Sequence, residues 1–258
     1  MTPDQTTAPA PRISFGGLVR SERIKARGLR STRRLLVTAG VLPVVTTLIA
    51  AAVSDGAASS AAGSVLSSVA SLSWMPLLVV MLLGTVVATS EYERGAVLTT
   101  FAVVPRRTGV VLAKMVVVAV AVLVVLLVSL VVAFLAAVVV EGGSLGAIGD
   151  LEVVRVLVGT AVYGAAAATI AMSIGMIVRS SIAGIAATLG FLYVLPALLQ
   201  AVPVAAVTAF ARTIPGPAST PLDTPGHVAG ELSFVAGLAA VLAWTVAVSC
   251  AVLRRRDV

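Results

Sequence analysis

The segment Met115–Val140, MVVVAVAVLVVLLVSLVVAFLAAVVV, decides the fold class because it contains no charged residue. A helix of about 20 apolar residues crosses the hydrocarbon core of a bilayer, so this segment predicts a transmembrane helix. Five further stretches are uncharged or nearly so and long enough to span. The six predicted spans are Leu35–Val53, Ser73–Ser90, Met115–Val140, Val156–Val178, Ser181–Ala201 and Leu232–Leu253. The sequence therefore predicts an all-α integral membrane protein.

The overall composition supports this fold class. Hydrophobic residues make up 59% of the 258 residues and charged residues 11%, and the mean hydropathy is +1.10. Soluble domains are about half apolar and a quarter charged, so the chain lies outside that class. With short connections, a chain of this length accommodates six spans.

The distribution of basic residues predicts the orientation. Eight of the 18 Lys and Arg residues lie at or before Arg34, four lie in the loop after the second span, one is Arg179, and three lie in the tail 254–256. Only Arg155 and Arg212 fall on the other side of the predicted topology. The positive-inside rule therefore places both termini in the cytoplasm. We attribute the formal charge of +7 to basic residues that set the membrane orientation and contact membrane lipid. We therefore expect no nucleic-acid partner.

The segments outside the spans are short. Residues 1–12 are rich in Thr, Pro and Ala, which is typical of disorder. Residues 13–34 are basic and fit an amphipathic interfacial helix, although a topogenic leader without fixed shape is an alternative. Residues 254–258 form a basic tail. After the fifth span, the uncharged stretch continues beyond one crossing, which suggests a short re-entrant or interfacial piece at Val204–Ala211.

The sequence offers little for catalysis. It contains no G-x-x-x-x-G-K-[ST] phosphate loop, so we expect no ATP hydrolysis by that route. His227 is the only histidine and Cys250 the only cysteine, which disfavours a zinc site or a histidine-based triad within one chain. The predicted catalytic, cofactor-binding and metal-binding sets are therefore empty.

The most informative loop is Glu91–Lys114, EYERGAVLTTFAVVPRRTGVVLAK, between the second and third spans. Its acidic start and the apolar residues up to Phe101 favour a short helix. Pro105 ends that helix. Lying flat under the membrane, the helix would present charges to a soluble partner; the alternative is a linker that only carries topogenic charge.

The order of residues in this loop resembles the ABC-transporter permeases of the second exporter superfamily, whose fold is called type V. The leader LVRSERIKARGLRST, with Glu22 and Lys25, resembles the opening of the same family. Ala96 stands where the family usually has Thr. The resemblance implies contacts with an ATPase subunit by Glu91, Glu93, Arg94, Gly95, Phe101, Pro105, Arg106, Arg107 and Lys114.

The resemblance also implies an assembly. Two six-span permeases, identical or paralogous, would pair in the cell (plasma) membrane, as in a bacterial inner membrane. Each would seat a separate ATP-binding cassette subunit on its coupling helix, and ATP and Mg would bind to that subunit. A stand-alone six-helix secondary transporter or channel-like protein is the alternative, and a non-transporting scaffold is a third reading.

Two further patterns concern the interior of the bundle. Ala167, Ala171 and Gly175 recur every four residues in the fourth span and predict a face that permits close helix approach. The candidate cargo path is formed by residues that ordinary helix packing would also explain, namely Tyr163, Met172, Met176, Tyr193 and Gln200.

Overall fold

A computed structural model describes residues 14–53, 74–93, 107–141, 150–204, 206–208 and 228–255. All regular structure in these ranges is helical. The principal helices are α1 (Phe15–Gly28), α2 (Arg30–Val53), α3 (Trp74–Glu93), α4 (Arg107–Glu141), α5 (Leu151–Val178), α6 (Ser181–Leu189), a π-helical segment (Gly190–Val194), α7 (Leu195–Gln200) and α8 (Val228–Arg255).

The helices confirm an all-α membrane protein. Within the described ranges, 5 helical segments are long and apolar enough to cross a bilayer, and Trp74–Ser90 is a shorter apolar helix. The five are Arg30–Val53, Thr108–Val140, Leu151–Val178, Ser181–Gln200 and Val235–Val252. The count of six spans and the cytoplasmic position of both termini stay predictions. Residues 1–12, and residues 205 and 209–211 of the segment Val204–Ala211, lie outside the described ranges.

The orientation has a direct test by cysteine labelling. In a Cys250→Ala background, cysteines at Ser59 and Ser219 are expected to react with a membrane-impermeant maleimide on intact cells. A cysteine at Thr108 is expected to react only after the membrane is opened, because the positive-inside rule places that loop in the cytoplasm. Labelling of Thr108 on intact cells would contradict the predicted topology.

Several helices extend past the predicted spans. Helix α4 begins at Arg107 rather than Met115, α3 continues to Glu93, and α5 begins at Leu151. Hydropathy marks where apolar side chains stop, whereas the backbone ladder of i to i−4 hydrogen bonds continues into the polar interface. The helices are therefore longer at these ends than the predicted spans.

Helix α5 is the centre of the bundle. In its most apolar stretch of 18 residues, 78% of the residues are buried, whereas the corresponding share is at most 33% in the other candidate spans. Ala167 and Ala171 are fully buried, and a Cβ on Gly175 would approach α3, which confirms the predicted small-residue face. On α3, a Cβ at Gly84 would overlap the carbonyl oxygen of Ala168. The α3 and α5 backbones therefore pack in direct contact.

Helix α2 contains a proline, and three backbone carbonyls near it accept hydrogen bonds from hydroxyl groups. Pro43 has no backbone N–H, so the carbonyl group four residues earlier in the helix does not receive its usual hydrogen bond. The Ser129 hydroxyl of α4 donates to the carbonyl of Gly40. Thr46 donates to the carbonyls of Leu42 (2.9 Å) and Pro43 (3.2 Å). The Ser129 bond joins α4 to α2 close to the proline, whereas the Thr46 bonds lie within α2.

The fifth predicted span is interrupted by a π-helical turn. The backbone N–H of Leu195 donates to the carbonyl of Gly190, five residues back. Pro196 follows, and because it lacks an N–H and crowds the preceding turn, the hydrogen-bond register changes just before it. The hydroxyl of Tyr193, within this turn, donates to the carbonyl of Trp74 at 3.0 Å, which fixes the turn to the start of α3.

Candidate functional site

One face of helix α1 packs against the rest of the protein. The hydroxyl of Ser14 caps its first turn by accepting from the N–H of Gly17 at 3.2 Å. At about 100° per residue, Leu18, Glu22 and Leu29 share one face. Glu22 is buried and the two leucines are partly buried. This face lies against the bundle and turns the arginines of the opposite face outward.

The first turns of α4 receive this face. Gly109 carries no side chain, and a Cβ there would lie 3.3 Å from Cδ1 of Leu18. The missing side chain lets α1 approach α4 closely. Lys114, about two turns from the start of α4, is only 6% exposed. Its side chain therefore points into the contact between the two helices.

Glu22 joins the charges of this corner. One carboxylate oxygen lies 2.7 Å from Nζ of Lys25, and the other lies 3.8 Å from Nζ of Lys114. The Glu22 and Lys114 side chains are 5% and 8% exposed, whereas that of Lys25 is 42% exposed. Burial of a charge is tolerated when a partner of opposite sign is close. Glu22 therefore bridges one lysine at the surface and one inside.

Helices α2 and α3 complete the corner. A small crevice is lined by Glu22, Lys25 and Lys114, by Thr32 of α2, and by Ser90 near the end of α3. The Ser90 hydroxyl donates to the carbonyl of Val87 at 3.3 Å. Four helices thus meet where α3 ends and α4 begins.

The predicted coupling residues lie partly in α3 and α4 and partly in the segment 94–106, which is outside the described ranges. Glu91 and Glu93, expected to open a separate helix, lie in the last turn of α3, because that helix continues past its apolar segment. Arg107 is the first residue of α4. Arg94, Gly95, Phe101, Pro105 and Arg106 lie outside the described ranges. The coupling helix itself stays a prediction.

The structure brings together residues that the sequence presented in separate segments. Glu22 and Lys25 come from the leader, and Lys114 comes from the end of the Glu91–Lys114 loop. Their pairing was not predicted. Opposite charges at the borders of two apolar segments were the available signal, but many such pairs are possible in a six-span chain.

A seam of hydroxyl groups between α3 and α6 was also missed. The Thr85 hydroxyl lies 3.4 Å from that of Thr188, and the Thr89 hydroxyl lies 2.5 Å from that of Ser181. Thr85 and Thr89 are four residues apart and both buried, so they share a face of α3. Hydroxyls spaced at one helical turn within an apolar span were the signal that could have identified this seam.

The candidate cargo-path residues occupy two environments. Tyr163, Met172 and Met176 of α5 are at most 5% exposed and belong to the packed core of the chain. Tyr193 is partly buried, and Gln200 is exposed at the end of α7. In this conformation, these five residues do not converge on the crevice at Glu22. Their role in cargo transfer stays a prediction.

Comparison with protein families identifies the chain. A family model described as "ABC-2 family transporter protein" matches residues 18–197, which is more than half of the chain. The chain belongs to the ABC-2 transporter family. The match begins within α1 and ends within α7, so it includes Glu22, Lys114 and the connection between α3 and α4. No curated protein matches this ABC-2 transporter.

The family confirms the resemblance noted in the leader and in the loop after the second span. This ABC-2 protein is a multi-pass membrane protein and a permease subunit of an ABC transporter. The family also implies an ATP-binding partner in general.

Proposed function

We propose that this permease is the membrane subunit of an ATP-driven exporter and is coupled to a separate ATP-binding subunit through the segment 94–106. It pairs with a second permease, identical or paralogous, in the cell membrane, which we take to be a bacterial inner membrane. The sequence lacks a phosphate loop, so nucleotide and Mg are assigned to the partner subunit.

The observation that carries this proposal is the corner formed by α1, α3 and α4. The family match contains the residues of this corner, and both helices that flank the segment 94–106 are held by close packing or an ion pair. Helix α3 is held against α5 through Gly84, and α4 is held against α1 through Lys114 and Glu22.

This anchoring suggests how movement of an ATPase subunit reaches the membrane. A displacement of the segment 94–106 acts on the end of α3 and the start of α4. Closely packed helices have few intermediate arrangements, so they shift as rigid bodies between discrete states. The transmembrane helices would then alternate between inward-open and outward-open arrangements.

The assignment of hydrolysis to a partner predicts the behaviour of the purified proteins. Alone in nanodiscs, this chain is expected to show no ATP turnover. Co-purified with the phosphate-loop ATPase of a neighbouring reading frame, it is expected to yield ATP hydrolysis that is sensitive to vanadate. The control is the same complex with the phosphate-loop lysine of the ATPase replaced by alanine. Turnover by the lone chain would refute the proposal.

A further inference from the structure

The contact between α1 and α4 combines a buried ion pair with apolar packing. Leu18 lies over Gly109, and Ala26 and Leu29 contribute apolar groups to the crevice. Apolar contacts of this kind are not directional and permit small sliding or rotation. The charges of Glu22 and Lys114 oppose such movement, because it would lengthen their separation of 3.8 Å in a buried setting.

A buried ion pair gains little net stability over apolar side chains of similar size, because both ions lose their hydration. Its best-documented use is to select one register between two helices. Glu22 meets the requirements of such a role. Its oxygens contact Lys25 on its own helix and Lys114 on α4, so a slide of α1 by one turn would break the second contact.

We propose that Glu22 is a positioning residue that makes α1 and the first turns of α4 move as one unit when the segment 94–106 is displaced. The inference rests on the proposed function for the origin of that displacement. Lys114 is the receiving group on α4, and Lys25 holds the Glu22 carboxylate in the orientation that reaches it.

The connection to α2 gives this unit a mechanical consequence. A single extended residue, Leu29, separates α1 from α2. Helix α1 is therefore tied covalently to the first predicted span and electrostatically to the third. Movement of the start of α4 reaches α2 through α1, in addition to the direct packing between α2 and α4 at Ser129 and Gly40.

The resting contact is tested on the full chain alone by hydrogen–deuterium exchange in nanodiscs. Glu22→Gln is expected to speed amide exchange in residues 15–28 by at least about tenfold, since loss of one partner of a buried pair strongly destabilises the contact. Glu152→Gln, which removes an exposed carboxylate at the start of α5, is the matched control and is expected to leave it unchanged. Unchanged exchange in the Glu22→Gln protein would overturn the proposal.

The coupled movement is tested in the complex with the ATP-binding subunit. In the wild-type complex, trapping with MgATP and vanadate is expected to change exchange in residues 15–28 and 107–114 together. In the Glu22→Gln complex, only 107–114 is expected to respond. A wild-type response in 107–114 without one in α1 refutes the positioning role. No wild-type response in either helix refutes the proposed function, while the resting-state measurement still decides the role of Glu22.

Two rescue variants distinguish positioning from a general folding defect. Reversal of all three charges, by Glu22→Lys with Lys25→Glu and Lys114→Glu, is expected to restore the joint response. In a Cys250→Ala, Glu22→Gln background, a disulfide between cysteines placed at Leu18 and Gly109 is expected to restore it until a reductant is added. Failure of both rescues in folded protein would overturn the proposal.

Discussion

Replacement of Gly84 by alanine is expected to destabilise the bundle by about 2 kcal/mol or more. Alanine favours a helix over glycine by about 1 kcal/mol, so backbone propensity alone would predict stabilisation. The added Cβ, however, would overlap the carbonyl oxygen of Ala168 on the central helix. Overpacking of a close contact commonly costs about 1–3 kcal/mol, and here the obstacle is backbone that cannot rotate away.

The measurement is the thermal unfolding midpoint of the purified chain in detergent, followed by size-exclusion chromatography after heating. For a chain of this length we expect a decrease of roughly 4–8 °C. Gly190→Ala is the matched control, because that glycine also lies in a predicted span and a Cβ there meets no atom within 4 Å. Equal midpoints for the two variants would show that α3 and α5 are not held by direct backbone contact.

Charge reversal at Glu93 or Arg94 is expected to separate the ATP-binding subunit from this permease, or to uncouple hydrolysis from transport. If these residues contact the partner, the change leaves a desolvated charge unpaired, which costs about 2–5 kcal/mol. A solvated charge that serves only topology contributes at most about 1 kcal/mol. Membrane insertion is expected to stay normal, because Glu93→Lys makes the loop more basic and Arg94→Glu leaves most of its basic residues in place.

The measurement is the amount of ATP-binding subunit recovered with the tagged permease, together with ATP turnover of the complex. Arg254→Glu is the control, because it changes the net charge as much as Arg94→Glu does but lies in the last turn of α8. If the Glu93 and Arg94 variants retain the partner as fully as the Arg254 variant, the segment after α3 is only a linker.

Most of the fold was accessible from the sequence because apolar runs directly report burial in a bilayer. The length and uncharged composition of Met115–Val140 indicate a bilayer-spanning helix. The spacing of Ala167, Ala171 and Gly175 predicted a face of small residues that permits close helix approach. The ends of the helices were less accessible. Residues 107–114 are helical in the structure, but their mixed composition gives no hydropathy signal, and neither Gly190 nor Pro196 alone specifies a π-helical turn.

The candidate site was only partly accessible for a different reason. Resemblance to a family pointed to Glu22, Lys25 and Lys114 one by one, since each occupies a motif. Their association depends on how α1 crosses the start of α4, which is a three-dimensional property set by the missing side chain of Gly109 and the packing of Leu18. Opposite charges at the borders of apolar segments do not by themselves identify which two of them meet.

The pairing of Glu22 with Lys114 also dictates an order of events during synthesis. The ribosome releases α1 before the first and second predicted spans, and Lys114 emerges only after both. Until the third span enters the membrane, the Glu22 carboxylate has no buried partner and remains hydrated at the surface. Docking of α1 is therefore a late step of biogenesis, and a nascent chain arrested before Lys114 would leave its N-terminal helix accessible to proteases.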